Sequence, residues 1–320
     1  MTRVPQLYYE AAKSGAAMLD VVTVENLTKS YGSLRAVDDI SFAVQEGEIF
    51  GLVGPNGAGK TTTWEILEGL RRADGGALRV AGIDVRKHPR KLRAIIGVQL
   101  QSTAMFERLT VREILEVFAG MYPTRVPADR LMKLVNLEEK ADEWTEKLSG
   151  GQKQRLAVAL ALVNDPKVVF LDEPTTGLDP QARRSLWDVI AEFRKAGKTV
   201  MLTTHYMEEA ERLCDRVGVM DRGKILALDK PSQLIRNMGQ RDAVEFAANG
   251  EAGAFEKMPG VEEMNVENGL VTLYTRHLDV TLPAVFELAR QRGLRVEDFK
   301  VRNASLEDVF LQLTGRRIRE

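Results

Sequence analysis

At 320 residues the chain is too long for one average domain and about right for a large domain beside a small one. Hydrophobic residues at 44% and charged residues at 28% are ordinary for globular protein, and 45 Lys and Arg against 46 Asp and Glu leave a net charge of -1, with no electrostatic footprint for nucleic acid. The single cysteine, Cys214, excludes an internal disulfide and a multi-cysteine zinc site, no run approaches the ~18 apolar residues of a membrane span, and the mixed first twenty residues lack the apolar stretch of a secretory signal, so a cytosolic chain is expected.

Residues 1–20 read as an N-terminal extension. Met18 lies just before the first strand-like run, so residues 1–17 are expected to be a dispensable extension or the trace of an alternative start. Residues 21–235 alternate short β-type runs with helical stretches, the pattern of an α/β domain. The runs Glu48 to Val53, Lys167 to Leu171 and Thr199 to Thr203 are nearly continuous in apolar character, as strands buried on both faces of a mainly parallel sheet should be. Between them, from Ser102 to Lys147, composition turns helical and predicts an insert. Cys214, among Leu213, Val217 and Val219, reads as a small core residue. Near Arg241 the pattern changes, and residues 241–320 predict a β-α-β-β-α-β order. Its strands are Ala243 to Ala247, Val261 to Val266, Leu270 to Thr275 and Leu294 to Val301, and its helices lie near Ala252 to Lys257 and Leu278 to Arg292. A last helix should start at Ser305, with Asp308 three residues on, and bury Leu306, Val309, Phe310 and Leu313 on one face.

The stretch Gly54-Pro55-Asn56-Gly57-Ala58-Gly59-Lys60-Thr61, followed by Thr62, matches the phosphate-binding loop G-x-x-x-x-G-K-[ST], between a strand and a helix as that motif requires. Glycines let successive backbone N–H groups turn toward one anion, and the helix start adds partial positive charge. Lys60 can reach the terminal phosphates of a nucleotide and the Thr61 hydroxyl can ligate Mg²⁺. Asp172 and Glu173 end the second buried strand, where α/β sheets bind ligands. Asp172 is the candidate Mg²⁺ partner, and Glu173 a carboxylate placed to activate water. These residues alone specify a P-loop ATPase or GTPase, and no Asn/Thr-Lys-x-Asp motif for reading guanine is present.

Leu148-Ser149-Gly150-Gly151-Gln152-Lys153-Gln154-Arg155 resembles the signature motif of the ATP-binding cassette (ABC) ATPases, and it precedes Asp172 at the family's interval. The resemblance implies a P-loop α/β core with a helical insert, plus a small α+β ferredoxin-like C-terminal domain. In that family Ser149, Gly150, Gly151 and Gln152 would contact the ATP held by a second subunit, making a head-to-tail homodimer. Tyr31 resembles the aromatic that stacks on adenine. Gln101, four residues after Gly97, resembles the glutamine that joins Mg²⁺ to the membrane-subunit contact, with Gln99 the neighbouring alternative. Asp179 resembles the interface aspartate, and His205 the histidine that meets the γ-phosphate. His88 and His277 read as structural. The stretches Ile66 to Arg72, Phe106 to Glu113 and Ser305 to Gly315 are similar to the multidrug or daunorubicin-resistance ATPases of ABC-2 exporters. That implies ATP and Mg²⁺ as ligands, a separate ABC-2 type permease as partner, and a site on the inner face of the membrane. No nucleic-acid partner is expected; the alternative is a non-transport ABC ATPase acting on DNA or ribosomes. The C-terminal domain would serve subunit contact or regulation, or be a packed appendage, and the cargo is not legible.

Overall fold

The computed structural model describes residues 20–100, 106–237, 241–248, 252–267, 269–294 and 296–315. Residues 1–17 and Gln101 therefore lie outside the described residues. The chain divides into two compact units, Met1–Leu226 and Ala227–Glu320. Among the described residues no helix is long and apolar enough to cross a membrane.

In the first unit the chain order is β1 (Asp20–Tyr31), β2 (Leu34–Gln45), β3 (Ile49–Val53), α1 (Lys60–Leu67), β4 (Gly75–Val80), β5 (Ile83–Asp84), α2 (Pro89–Arg93) and β6 (Ile96–Gln99). Then come α3 (Val111–Ala119), α4 (Ala128–Leu134), α5 (Gly150–Leu160), β7 (Val168–Asp172), α6 (Pro180–Lys195), β8 (Thr199–Thr204), α7 (Met207–Leu213), β9 (Arg216–Asp221) and β10 (Lys224–Asp229), the last running through the division at Leu226.

One sheet, in the order β2-β1-β4-β5, is antiparallel. The other runs β10-β9-β3-β8-β7-β6, and its strands β9, β3, β8, β7 and β6 are mutually parallel. Every residue of β3, β7 and β8 is buried, which is why these strands read as unbroken apolar runs. Their carboxyl ends deliver the P-loop, the Asp172–Glu173 pair and His205 to one edge. Helix starts follow local chemistry. Thr110 and Glu113 form a reciprocal capping box on α3, and Ser149 and Gln152 form one on α5. The Asp179 carboxylate accepts the N–H groups of Gln181 and Ala182 at the start of α6, with Pro180 at the first helical position. The predicted helical insert contains α3 and α4 with short 3₁₀ turns at Glu138–Lys140 and Thr145–Lys147. Cys214 is buried, 8% exposed.

The second unit holds α8 (Pro231–Asn237), β11 (Asp242–Ala248), β12 (Val261–Glu267), β13 (Leu270–Thr275), α9 (Leu278–Arg292), β14 (Val296–Asn303) and α10 (Leu306–Thr314). Its antiparallel sheet runs β12-β13-β11-β14, the interleaved order of a ferredoxin-like βαββαβ unit, with a 3₁₀ turn at Ala252–Phe255 in place of the first predicted helix. Val244, Phe246, Phe255, Met258, Val271, Leu273 and Val285 form its core. Helix α10 has the expected Ser305–Asp308 capping box. Its buried set differs from the expected stripe, because Leu313 is 43% exposed while Leu311 is 3% exposed. Burial here follows what α10 lies against, namely α8 and the Tyr274–Arg302 side of the sheet, and Leu313 sits in the last turn before Gly315 ends the helix.

Candidate functional site: a phosphate loop with a buried acid pair

The loop between β3 and α1 can exist only with glycine at two close approaches. A Cβ on Gly54 would strike the Met220 carbonyl, and one on Gly59, whose φ is +106°, would strike the Ala36 carbonyl. Lys60, 4% exposed, folds back over the loop and donates to the carbonyls of Gly54 (2.8 Å) and Pro55 (3.1 Å). Asn56 and Gly57 stay exposed at the tip, Ala58 is buried, and Thr61 and Thr62 open the helix half-buried.

Asp172 and Glu173 meet that loop through parallel strands β3, β8 and β7. Asp172 is 5% exposed, and burial pushes its carboxyl pKa up against the hydroxyls that bond it. The Thr61 hydroxyl donates to Asp172 Oδ1 at 3.4 Å, and the Thr203 hydroxyl donates to the same oxygen. Glu173 adopts φ +47°, a conformation uncommon outside glycine, and Thr203 holds it there. The Glu173 N–H reaches the Thr203 hydroxyl at 2.9 Å and the Thr203 carbonyl at 3.2 Å. The turned backbone brings Glu173 Oε1 to 3.3 Å from Lys60 Nζ and Oε2 to 3.2 Å from His205 Nδ1, with the Thr176 hydroxyl donating to Oε2 at 3.2 Å. These neighbours, His205 first and Lys60 next, hold the Glu173 carboxyl down at about 2 against the opposing effect of burial. His205 Nδ1 lies close without the alignment of a hydrogen bond, so the Lys60 ammonium is the firmer cause of the ionised carboxylate. Burial lowers the Lys60 pKa, and Glu173 and Asp172 pull it back.

The remaining predicted residues stand apart from this cluster. Ser149 is exposed, its hydroxyl accepting the Gln152 N–H (3.3 Å) while Gln152 Oε1 accepts the Ser149 N–H (2.8 Å). Among the described residues no hydrogen bond or ion pair joins this helix start, with Gly150 and Gly151, to Lys60, Thr61, Asp172 or Glu173. Asp179 is exposed and engaged in capping α6. Tyr31 is 39% exposed, with Lys29 Nζ and the Arg71 guanidinium each 5.3 Å from its ring centre. Those two cations are held by Asp74 (2.7 Å) and Glu65 (2.6 Å). Gln99, 2% exposed, turns its amide back to the Leu100 carbonyl at 2.6 Å. Two participants escaped the sequence reading. Thr203 is a hydroxyl inside an apolar strand, and that misplaced polarity was its only signal. Glu68 looks like a surface residue near the end of a helix but is 1% exposed, with neither carboxylate oxygen hydrogen-bonded among the described residues.

Among the described residues no three His, Cys, Asp or Glu side chains gather to hold a metal. A divalent cation at the Thr61–Asp172 pair would need phosphate oxygens and water to complete its shell, which is how Mg²⁺ is ordinarily held beside nucleotides.

A glycine loop between a buried parallel strand and a helix, with an acid pair at the end of a strand in the same sheet, defines a P-loop nucleotide-binding cassette. Residues 37–176 match the family described as ABC transporter, and residues 232–314 the C-terminal domain described as ATP-binding protein DrrA1-3-like. The Nod factor export ATP-binding protein I of Ralstonia nicotianae is 40% identical over 325 aligned residues, covering 98% of this chain and 99% of the relative. The daunorubicin resistance ATP-binding protein DrrA2 of Streptomyces coeruleorubidus is 41% identical over 308, covering 92% and 95%. Among solved structures, an ATP-binding subunit of an ABC transporter superposes with a TM-score of 0.61 at 29% identity, covering 68% of this chain and 93% of that one. A dimeric post-hydrolysis state of the cassette MJ0796 bound to ADP and Pi gives 0.60 at 28%, covering 65% and 98%. The chain belongs to the ABC transporter family, with a C-terminal domain of the DrrA1-3-like kind.

Proposed function

We propose that this chain binds and hydrolyses ATP as a homodimer and so drives export through a separate membrane subunit of the ABC-2 type, to which it docks on the inner face of the membrane. The observation that carries the reading is the Glu173 carboxylate, ionised between Lys60 and His205 and backed by the Thr61–Asp172 pair. ATP would lie with its phosphates on the N–H groups of residues 54–62 and its adenine against Tyr31. Thr61 and Asp172, with Gln101, would hold Mg²⁺, which bound there offsets phosphate charge. Lys60 now spends its protons on the Gly54 and Pro55 carbonyls and on Glu173. A triphosphate competes for that ammonium, and drawing it away removes one of the charges that keep Glu173 a weak base. Glu173 then takes a proton from the attacking water, and His205 and Lys60 face the transferring phosphoryl group. Ser149, Gly150, Gly151 and Gln152 of the partner cover the same nucleotide, and Asp179 lies at the joint between subunits. Dimeric relatives support that arrangement. The relatives named for Nod factor export and daunorubicin resistance support export, with the cargo chosen by the membrane subunit.

The test is phosphate release by the purified chain. Glu173→Gln should keep ATP binding, lose roughly 10²–10⁴ in rate and accumulate an ATP-bound dimer. Wild-type turnover in that variant removes Glu173 as the base. Recovery of the chain from solubilised membranes with a polytopic protein supports transport, whereas recovery with ribosomes or nucleic acid overturns it.

A further inference from the structure

His205 reaches Glu173, yet nothing at its Nδ1 fixes the direction of the ring. That nitrogen is buried, 3.2 Å from Glu173 Oε2, and makes no aligned hydrogen bond among the described residues. The imidazole is instead packed against Tyr206, ring centre to ring centre 4.1 Å, at a tilt of 39°. Tyr206 is itself held at two points. Its N–H donates to the Thr204 hydroxyl at 2.9 Å, and the Arg183 guanidinium lies 3.9 Å from the centre of its ring, a close cation–π contact. The Arg183 Nε is buried and makes no hydrogen bond among the described residues. It stands in the first turn of α6, where its own N–H donates to the Asp179 carbonyl at 2.9 Å and the Asp179 carboxylate caps the two residues before it. A line of direct contacts therefore runs from the start of α6 through Arg183, Tyr206 and His205 to Glu173.

We infer that Arg183 and Tyr206 are positioning residues for the hydrolytic centre: the guanidinium clamps the Tyr206 ring, and the ring sets the attitude of the His205 imidazole toward Glu173. This rests on the reading of Glu173 and His205 as the hydrolytic pair. The competing explanation is structural, because Arg183 also attracts the buried Glu209 carboxylate on α7. A residue that only neutralised Glu209 would affect folding and leave turnover per folded molecule unchanged.

The experiment is steady-state ATP hydrolysis by the full chain, with a double-mutant cycle. Tyr206→Ala and Arg183→Met should each lower kcat about tenfold with KM for ATP within about twofold, the signature of a lost transition-state interaction. Tyr206→Phe, which keeps the ring, should rescue kcat to within about twofold. In a His205→Ala background, Arg183→Met should bring no further loss. An unchanged kcat, an equal loss in the His205→Ala background, or a loss confined to melting temperature overturns the inference. A readout independent of turnover separates this from the ATPase reading. With histidine isotope-labelled, the His205 ring resonance should move in both Tyr206→Ala and Arg183→Met. If the wild type hydrolyses no ATP, the ATPase reading falls, and a His205 resonance unmoved by Arg183→Met would still sink the clamp by itself.

Discussion

Glu68 shows what burial does to a single carboxyl. It follows α1 directly, is 1% exposed, and has no hydrogen-bond partner for either oxygen among the described residues. Burial first, then the charges of Asp172 and Glu65, pushes its pKa up to about 8 from 4.5. Between those values the folded chain keeps a proton that the unfolded chain has released, so this group takes stability away as pH rises from 4.5 through 8. Glu68→Gln should therefore melt near the wild type at pH 5 and higher at pH 8. A gain of at least about 2–4 °C is expected there, the shift that roughly 1 kcal/mol makes in a unit of this size. Calorimetry without nucleotide at the two pH values decides it, and an equal change at both would leave the buried proton without support. Glu173 is the opposite case. Its carboxyl is held at about 2, so its ion pair contributes fully above the ordinary value of 4.5 and is lost only as pH falls toward 2. The local sequence marks Glu173, which follows Asp172 at the end of a buried strand, but gives no sign that Glu68 is buried, and the opposite shifts of the two come from neighbours brought in from elsewhere in the chain.

At the scale of the element, the one helix start read from the sequence as a cap, Ser305 with Asp308, is found, and the structure adds two more of the same kind. Thr110 with Glu113, Ser149 with Gln152 and Ser305 with Asp308 all form reciprocal caps, since the bonding lies within a few residues of chain. Asp179 adds a second duty to its expected place between subunits, because it is the N-cap of α6. Asp179→Ala should cost about 1 kcal/mol of stability, whereas Asp179→Asn, which can also accept those N–H groups, should cost little. Denaturant unfolding of the two variants checks this, and equal losses would mean that the carboxylate charge matters more than the cap. The α10 stripe was legible only in part. Helical spacing selected Leu306, Val309 and Phe310 correctly but could not foresee that Leu311 rather than Leu313 would find cover. Periodicity gives a direction around a helix, and the neighbouring elements decide how far along it burial extends.

For the whole molecule, the cluster of Lys60, Thr61, Asp172, Glu173 and His205 is assembled within one chain, while Ser149 and its glycines stay on a helix start that, among the described residues, makes no hydrogen bond or ion pair to it. That separation is what a site completed by a second copy requires. Ser149→Arg should accordingly abolish most hydrolysis while leaving the affinity of the single chain for ATP within about twofold, because in the proposed dimer Ser149 would meet only the nucleotide held by the other copy. A large loss of affinity measured on dilute protein would place Ser149 in the primary pocket instead.

The chain's own residues determined a good deal locally. The P-loop glycines answer to close backbone approach, the apolar runs to burial on both faces, and the caps to nearby N–H groups, so each could be read from a short window. Tertiary structure alone decided that Thr203 would hold Glu173 in its turned conformation, that Lys60 and His205 would flank its carboxylate, and that Arg183 would lie over Tyr206. Those groups come from different strands and helices of a parallel sheet, whose crossover connections put residues far apart in the chain side by side. Their contacts exist only once that sheet has formed.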